Sequence, residues 1–167
     1  LLEAGSRLVQ ATWLRKQGKK GYAWDSHREN FTALREDLIP PFDQVLHALI
    51  TDLEETGMLD ETLVVVAGEF GRTPKIFTFK GAKSGLPGRD HWGAVQSVFF
   101  AGGGVKGGNV IGASDRIGGY PVADPQTPEN LGATIYRALG LPPTVAWDDK
   151  FNRPHQVYHD EPIVGLL

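Results

Sequence analysis

The run Thr62-Leu63-Val64-Val65-Val66-Ala67 is apolar and β-branched over the length of one strand. A strand that does not alternate polar with apolar residues offers no face to water. Both of its faces need cover, which is the habit of strands in parallel sheets. The segment before it can supply such cover. After Pro40-Pro41, residues Phe42, Val45, Leu46, Leu49, Ile50 and Leu53 recur at helical spacing along one stripe. Proline is favoured in a first helical turn, and Thr56-Gly57 ends the pattern. His47 falls off the stripe and reads as solvated. Helix, turn, strand is the rhythm of a βαβ unit. Val95–Ala101 reads as a second buried strand, stopped by Gly102-Gly103-Gly104. Thr127-Pro128-Glu129 opens a capped helix with Leu131, Ile135, Ala138 and Leu139 on its apolar face. Gly140 and Pro142-Pro143 close it. Leu8–Leu14 and Tyr22-Ala23-Trp24 have strand composition on either side of a basic turn, Lys16–Lys20. The tail from Trp147 to Leu167 reads as loop with one short strand near Pro162–Leu166.

At 167 residues the chain is about one domain and long enough to bury a core. Its charge of −3 weighs against nucleic acid, whose binders carry a basic excess or stripe. Apolar residues make up 41%, too many for a disordered chain, yet no apolar run approaches the ~20 residues a spanning helix needs. The absence of cysteine excludes disulfides, thiolate metal sites and a cysteine nucleophile. The chain opens on Leu1-Leu2-Glu3-Ala4-Gly5, which reads as the end of a helix and points to a missing N-terminal part.

Three polar clusters follow strand candidates: Asp25-Ser26-His27, Gly68-Glu69-Phe70-Gly71-Arg72-Thr73-Pro74 and Gly88-Arg89-Asp90-His91-Trp92. In open α/β sheets, ligands bind outside the carboxyl ends of strands. Carboxylate oxygens and imidazole nitrogens are the donors expected for divalent ions. Were the clusters to converge, Asp25, His27, Glu69 and His91 would make a mixed N/O metal site. Arg72 and Arg89 could clamp an oxyanion bidentately. Each cluster also has a plain structural reading: a turn cap for Asp25 and His27, a Glu69–Arg72 ion pair, a half-buried histidine for His91. His155 and His159 read as surface residues of the tail. The glycine-rich Gly102–Gly108 lacks the pattern of a phosphate loop and reads as a turn.

The strings Trp24-Asp25-Ser26-His27, Asp60-Glu61-Thr62-Leu63-Val64-Val65, Gly68-Glu69-Phe70-Gly71-Arg72-Thr73-Pro74-Lys75-Ile76 and Gly88-Arg89-Asp90-His91-Trp92 resemble a bacterial family. It is the domain-of-unknown-function family numbered fifteen hundred and one, often labelled sulfatase-like and placed near the alkaline phosphatase and sulfatase superfamily. The resemblance runs over the whole chain. It implies a three-layer α/β/α sandwich with a mostly parallel sheet, of which residues 1–167 are the C-terminal portion of a single alkaline phosphatase-like domain. It also implies export to the periplasm or beyond. By position, Asp25 and His27 look like the Asp/His pair of one metal site, and His91 like its late histidine. Glu69 stands where the superfamily has an aspartate of a second site. The first pair is closer in sequence than the superfamily's, Glu69-Phe70 stands in place of Asp-His, and Phe77–Pro87 is longer than the family leads one to expect. The nucleophile would lie in the N-terminal part.

Two functions follow. One is a metal-dependent hydrolase of phosphate or sulfate esters, with zinc, calcium or manganese at Asp25, His27, Glu69 and His91 and with Arg72 and Arg89 stabilising the anion. Its substrate would be a small anionic ester or a sulfated carbohydrate, and its partner the missing N-terminal segment, with no nucleic acid and no membrane. The other is a non-catalytic relative of the fold, a binding or interaction domain.

Overall fold

The computed structural model describes residues 1–13, 23–80 and 85–167. The basic turn expected at Lys16–Lys20 lies outside these, as do Leu14, Tyr22 and residues 81–84 of the long Phe77–Pro87 segment. Residues 8–13 are not a strand.

A helical stretch runs from Asn30 to Glu55 in three parts: α1 (Asn30–Ala33), a wider π turn over Leu34–Leu38, and α2 (Ile39–Glu55). The sequence places the start at the prolines, but the helix enters from upstream. Pro40 and Pro41 have no N–H to donate back along the helix. The chain meets that loss by widening the turn before them, so that Ile39 N–H bonds the Leu34 carbonyl five residues back. Of the apolar stripe, Leu53 is buried while Val45 and Leu49 remain exposed. The last helix, α3 (Pro128–Ala138), follows the sequence closely. Thr127 caps it by a reciprocal pair: Asn130 N–H donates to Thr127 Oγ1 at 3.3 Å, and Thr127 N–H donates to Asn130 Oδ1 at 2.9 Å.

The strands depart from expectation. Thr62–Ala67 and Val95–Ala101 do contain strands, β1 (Val64–Val66) and β4 (Phe99–Ala101), and they pair with one another. The pairing is antiparallel, Val65 opposite Phe100. Between them the chain forms a ribbon, β2 (Gly71–Arg72) against β3 (His91–Trp92), also antiparallel. Parallel pairing needs a long crossover, usually a helix. A ribbon in that position instead turns the chain back on itself, and β4 arrives reversed. Two further ribbons join β5 (Ala113–Ser114) to β6 (Pro121–Ala123) and β7 (Ala146–Asp148) to β8 (Pro154–Gln156). Among the described residues the strands thus form four separate two-stranded antiparallel sheets. The three-layer α/β/α sandwich with a mostly parallel sheet, alkaline phosphatase-like, is overturned by this topology. Pro162–Leu166 is a turn, not a strand. No helix among the described residues is long and apolar enough to cross a membrane.

Among the described residues the buried apolar side chains are few: Ala33, Leu38, Leu53, Ala133 and Leu166. Polar anchors do much of the remaining positioning. The tail docks on α3 where Ile163 N–H donates to Thr134 Oγ1 at 2.9 Å and Asn130 Nδ2 donates to the Glu161 carbonyl at 2.9 Å.

Candidate metal centre

Three segments converge on one carboxylate. The first is the loop that enters α1. Trp24 packs edge-on against Trp13 and against Phe42 of α2, with ring centroids 5.8 and 5.6 Å apart. Two residues on, the buried Ser26 accepts from the Asn30 side chain at its carbonyl (3.1 Å) and its hydroxyl (2.9 Å). Asp25 and His27, on either side of Ser26, are therefore presented from a loop pinned at both ends.

The second and third segments are the two strands of the β2–β3 ribbon. Arg72 lies directly opposite His91, and cross-strand partners share a face. Thr73 extends the ribbon, donating its N–H to the Asp90 carbonyl at 2.9 Å, and its hydroxyl accepts the Asp90 N–H at 3.0 Å. Phe77 and Gly88 exchange both main-chain bonds further along. Two glycines of the motifs matter here. A Cβ on Gly71 would overlap the Val95 carbonyl, and one on Gly88 would overlap the His27 carbonyl. Gly88 lets the third segment lie directly against the first, so that His91 reaches Asp25. Beside it, Trp92 Nε1 donates to the Gly119 carbonyl at 2.6 Å, tying β3 to the turn after β5.

The resulting geometry is compact. His27 Nε2 and His91 Nε2 each lie 2.9 Å from Asp25 Oδ1. One donor atom from each of Asp25, His27 and His91 falls within 4.8 Å of the others. The two imidazoles lie tilted by 43° with centroids 4.4 Å apart, and Phe70 packs against His91 at 4.2 Å. The hydrogen bond from His91, more than the charge of the His27 ring, holds the Asp25 carboxyl below its usual range. Asp90 is displaced the same way, chiefly by the His91 N–H that donates to its Oδ1 at 2.8 Å.

The structure brings together three of the four side chains that sequence reasoning assigns to metal. Glu69 is not in the group and lies exposed on the loop before β2. It does not follow β1 without a spacer, because the strand ends at Val66. Arg72 does lie at the group: its Nη2 donates to the Trp24 carbonyl at 3.0 Å and sits 3.6 Å from Asp25 Oδ1. The ion pair it makes is with Asp25, where the sequence suggested Glu69. Arg89 places its guanidinium over the Phe31 ring at 5.6 Å. Arg72 Nη1 and Arg89 Nε are both buried without a hydrogen-bond partner. Sequence reasoning passes over Asp90, whose Oδ1 is 2.9 Å from His27 Nδ1. An acidic residue directly before a ligand histidine was the signal for it. The tail histidine His155 stands apart, stacked on Trp147 and 3.3 Å from Asp149.

Two imidazole nitrogens and one carboxylate oxygen form a donor set suited to a borderline divalent ion. The group Asp25–His27–His91 is thus a possible metal-binding site. A family model described as "Protein of unknown function (DUF1501)" matches residues 1–167, and the chain belongs to that family. No curated protein and no solved structure matches it.

Proposed function

We propose that this member of the family holds a divalent ion at Asp25, His27 and His91 and serves the hydrolysis of phosphate or sulfate esters, a sulfatase-like activity. The observation that carries this reading is the convergence of two imidazole nitrogens, one from the Asp25 loop itself and one from β3 far along the chain, on a single carboxylate oxygen. Structural histidines have no need to share one acceptor. The donor set favours zinc or manganese over calcium, which prefers oxygen ligands throughout. Three protein ligands leave a position open to water or substrate, as catalytic zinc sites do. A bound ion of this kind supplies Lewis-acid polarisation of the ester oxygen and a water of lowered pKa. The chain's own residues do the rest. Asp25, His27 and His91 fix the ion, while Arg72 places a permanent positive charge beside it. The partnerless N–H groups of Arg72 and Arg89 are donor capacity that the oxygens of a bound oxyanion would satisfy. Overall, water and the ester become the alcohol and free phosphate or sulfate.

The second reading, a non-catalytic relative used for binding, draws on Phe70. Where a second site would want a ligand, this chain packs a phenyl ring on His91. Metal analysis of the purified protein, followed by assay of an aryl phosphate and an aryl sulfate with and without chelator, separates the two. The hydrolase reading expects about one zinc or manganese per chain and chelator-sensitive turnover of one ester. Stoichiometric metal with neither ester cleaved favours the second reading. Protein that takes up neither ion overturns the metal site.

A further inference from the structure

We infer that Asp90 is a positioning residue that aims His27 at the ion, an inference that rests on the metal reading of Asp25, His27 and His91. An imidazole offers a metal one nitrogen only if the proton sits on the other. His27 has a carboxylate at each nitrogen: Asp25 Oδ1 2.9 Å from Nε2, Asp90 Oδ1 2.9 Å from Nδ1. The Asp25 side is where His91 Nε2 also arrives, so the ion belongs there and the His27 lone pair must be on Nε2. That requires the proton on Nδ1. Asp90, which as a carboxylate only accepts, is the group that keeps it there.

Asp90 is itself rigidly placed. The same Oδ1 accepts the His91 N–H at 2.8 Å, and the Asp90 main chain exchanges both of its polar groups with Thr73. One oxygen therefore ties the ring of one ligand histidine to the backbone of the other. This links the spacing of the two imidazoles to the tautomer of His27. Outer carboxylates of this kind orient a ligand histidine and raise its basicity, and losing one typically costs ~10–100-fold in metal affinity.

The test compares wild type, Asp90→Ala and Asp90→Asn. The Asn variant keeps an oxygen acceptor for both His91 N–H and His27 Nδ1–H. Nitrogen-15 NMR of the metal-free proteins, at a pH where the ring is neutral, reads the His27 tautomer. Titration with zinc reads affinity. Asp90→Ala should move the His27 proton away from Nδ1 and weaken zinc ~10–100-fold. Asp90→Asn should keep the wild-type tautomer and most of the affinity. A brace with no role in aiming the ring would lower the melting temperature of the Ala variant and leave the tautomer as in wild type; that result overturns the inference. So does an Ala variant that binds zinc as tightly as wild type. Wild-type protein that binds no zinc removes the metal reading itself, and this inference with it, which sets that failure apart from the other two.

Discussion

Replacing His91 with alanine removes one of the three donor atoms and nothing from the core. The ring is 41% exposed but hydrogen-bonded to Asp25, so its loss should lower metal-free stability by only ~0.5–1.5 kcal/mol. The metal-bound state should respond very differently. Zinc at ~100 times its dissociation constant stabilises a protein by about 2.7 kcal/mol. Losing a direct ligand should weaken binding at least as much as losing an outer-shell partner, whose upper value is ~100-fold. At the same zinc concentration the ratio of ligand to dissociation constant then drops to about one, and the stabilisation to about 0.4 kcal/mol. For a chain of 167 residues, ~1 kcal/mol corresponds to ~2–4 °C in melting temperature. Zinc should therefore raise the wild-type melting temperature by ~5–11 °C and that of His91→Ala by only ~1–2 °C. His47→Ala is the control: that histidine is exposed on α2, outside the donor group, and its variant should keep the full zinc shift. Thermal melts with and without zinc, with calorimetric titration of both variants, give the numbers. If His91→Ala keeps the wild-type zinc shift, the geometry around Asp25 Oδ1 is not a metal site.

Arg72→Ala should lower the melting temperature while zinc affinity holds or rises. It strands the Trp24 carbonyl, at a cost of ~1–3 kcal/mol to the fold, and removes a positive charge 3.6 Å from Asp25 Oδ1 that opposes a cation there; zinc affinity that falls together with the melting temperature would refute this. Asp149 carries the clearest pH dependence. Its carboxyl is lowered from 3.8 to about 2, first by the Arg153 side chain and then by main-chain N–H groups and His155. Because the folded value lies below the unfolded one, its contribution is complete above about pH 4 and is lost as pH falls towards 2. Asp149→Asn should flatten the acid limb of stability between those values and speed amide exchange in the β7–β8 ribbon; an unchanged acid limb would count against it.

The helices were more legible than the sheets for a physical reason. Thr127-Pro128 fixes α3 through bonds within four residues, and the stripe after Pro41 marks α2 by periodicity alone. What periodicity cannot carry is what lies upstream of a proline: the π turn at Leu34–Leu38 answers a missing donor, and no spacing announces it. Strand direction is equally silent. The residues of β1 would look the same in a parallel or an antiparallel pair, and the direction was decided by what the chain does between Val66 and Phe99. The site was legible as residue types and misread in its geometry. Asp25, His27 and His91 stand out in polar clusters that follow strand candidates. Glu69 draws notice because it follows an apolar run, but the close approach of Gly88 to His27 brings in Asp90 on the third segment instead. That approach is a tertiary fact, set by main-chain contact between positions 61 apart in the sequence.

Charge gives the last link between this arrangement and its chemistry. Along the group, carboxylate and imidazole alternate: Asp90, His27, Asp25, His91. Both carboxyls are held low, Asp25 first by its hydrogen bond with the His91 ring and Asp90 first by the His91 main-chain N–H. A divalent ion competes for the Nε2 lone pairs and for Asp25 Oδ1, but not for the Nδ1 proton on the Asp90 side. Entry of the ion would thus engage one face of the group and leave the other intact. The Arg72 charge works against a cation in this position and for an anion. A site meant only to store metal gains nothing from a fixed positive charge 3.6 Å from its carboxylate. One meant to bring an anionic ester to a metal does, because the charge that weakens the ion's hold also balances the oxyanion that follows it in.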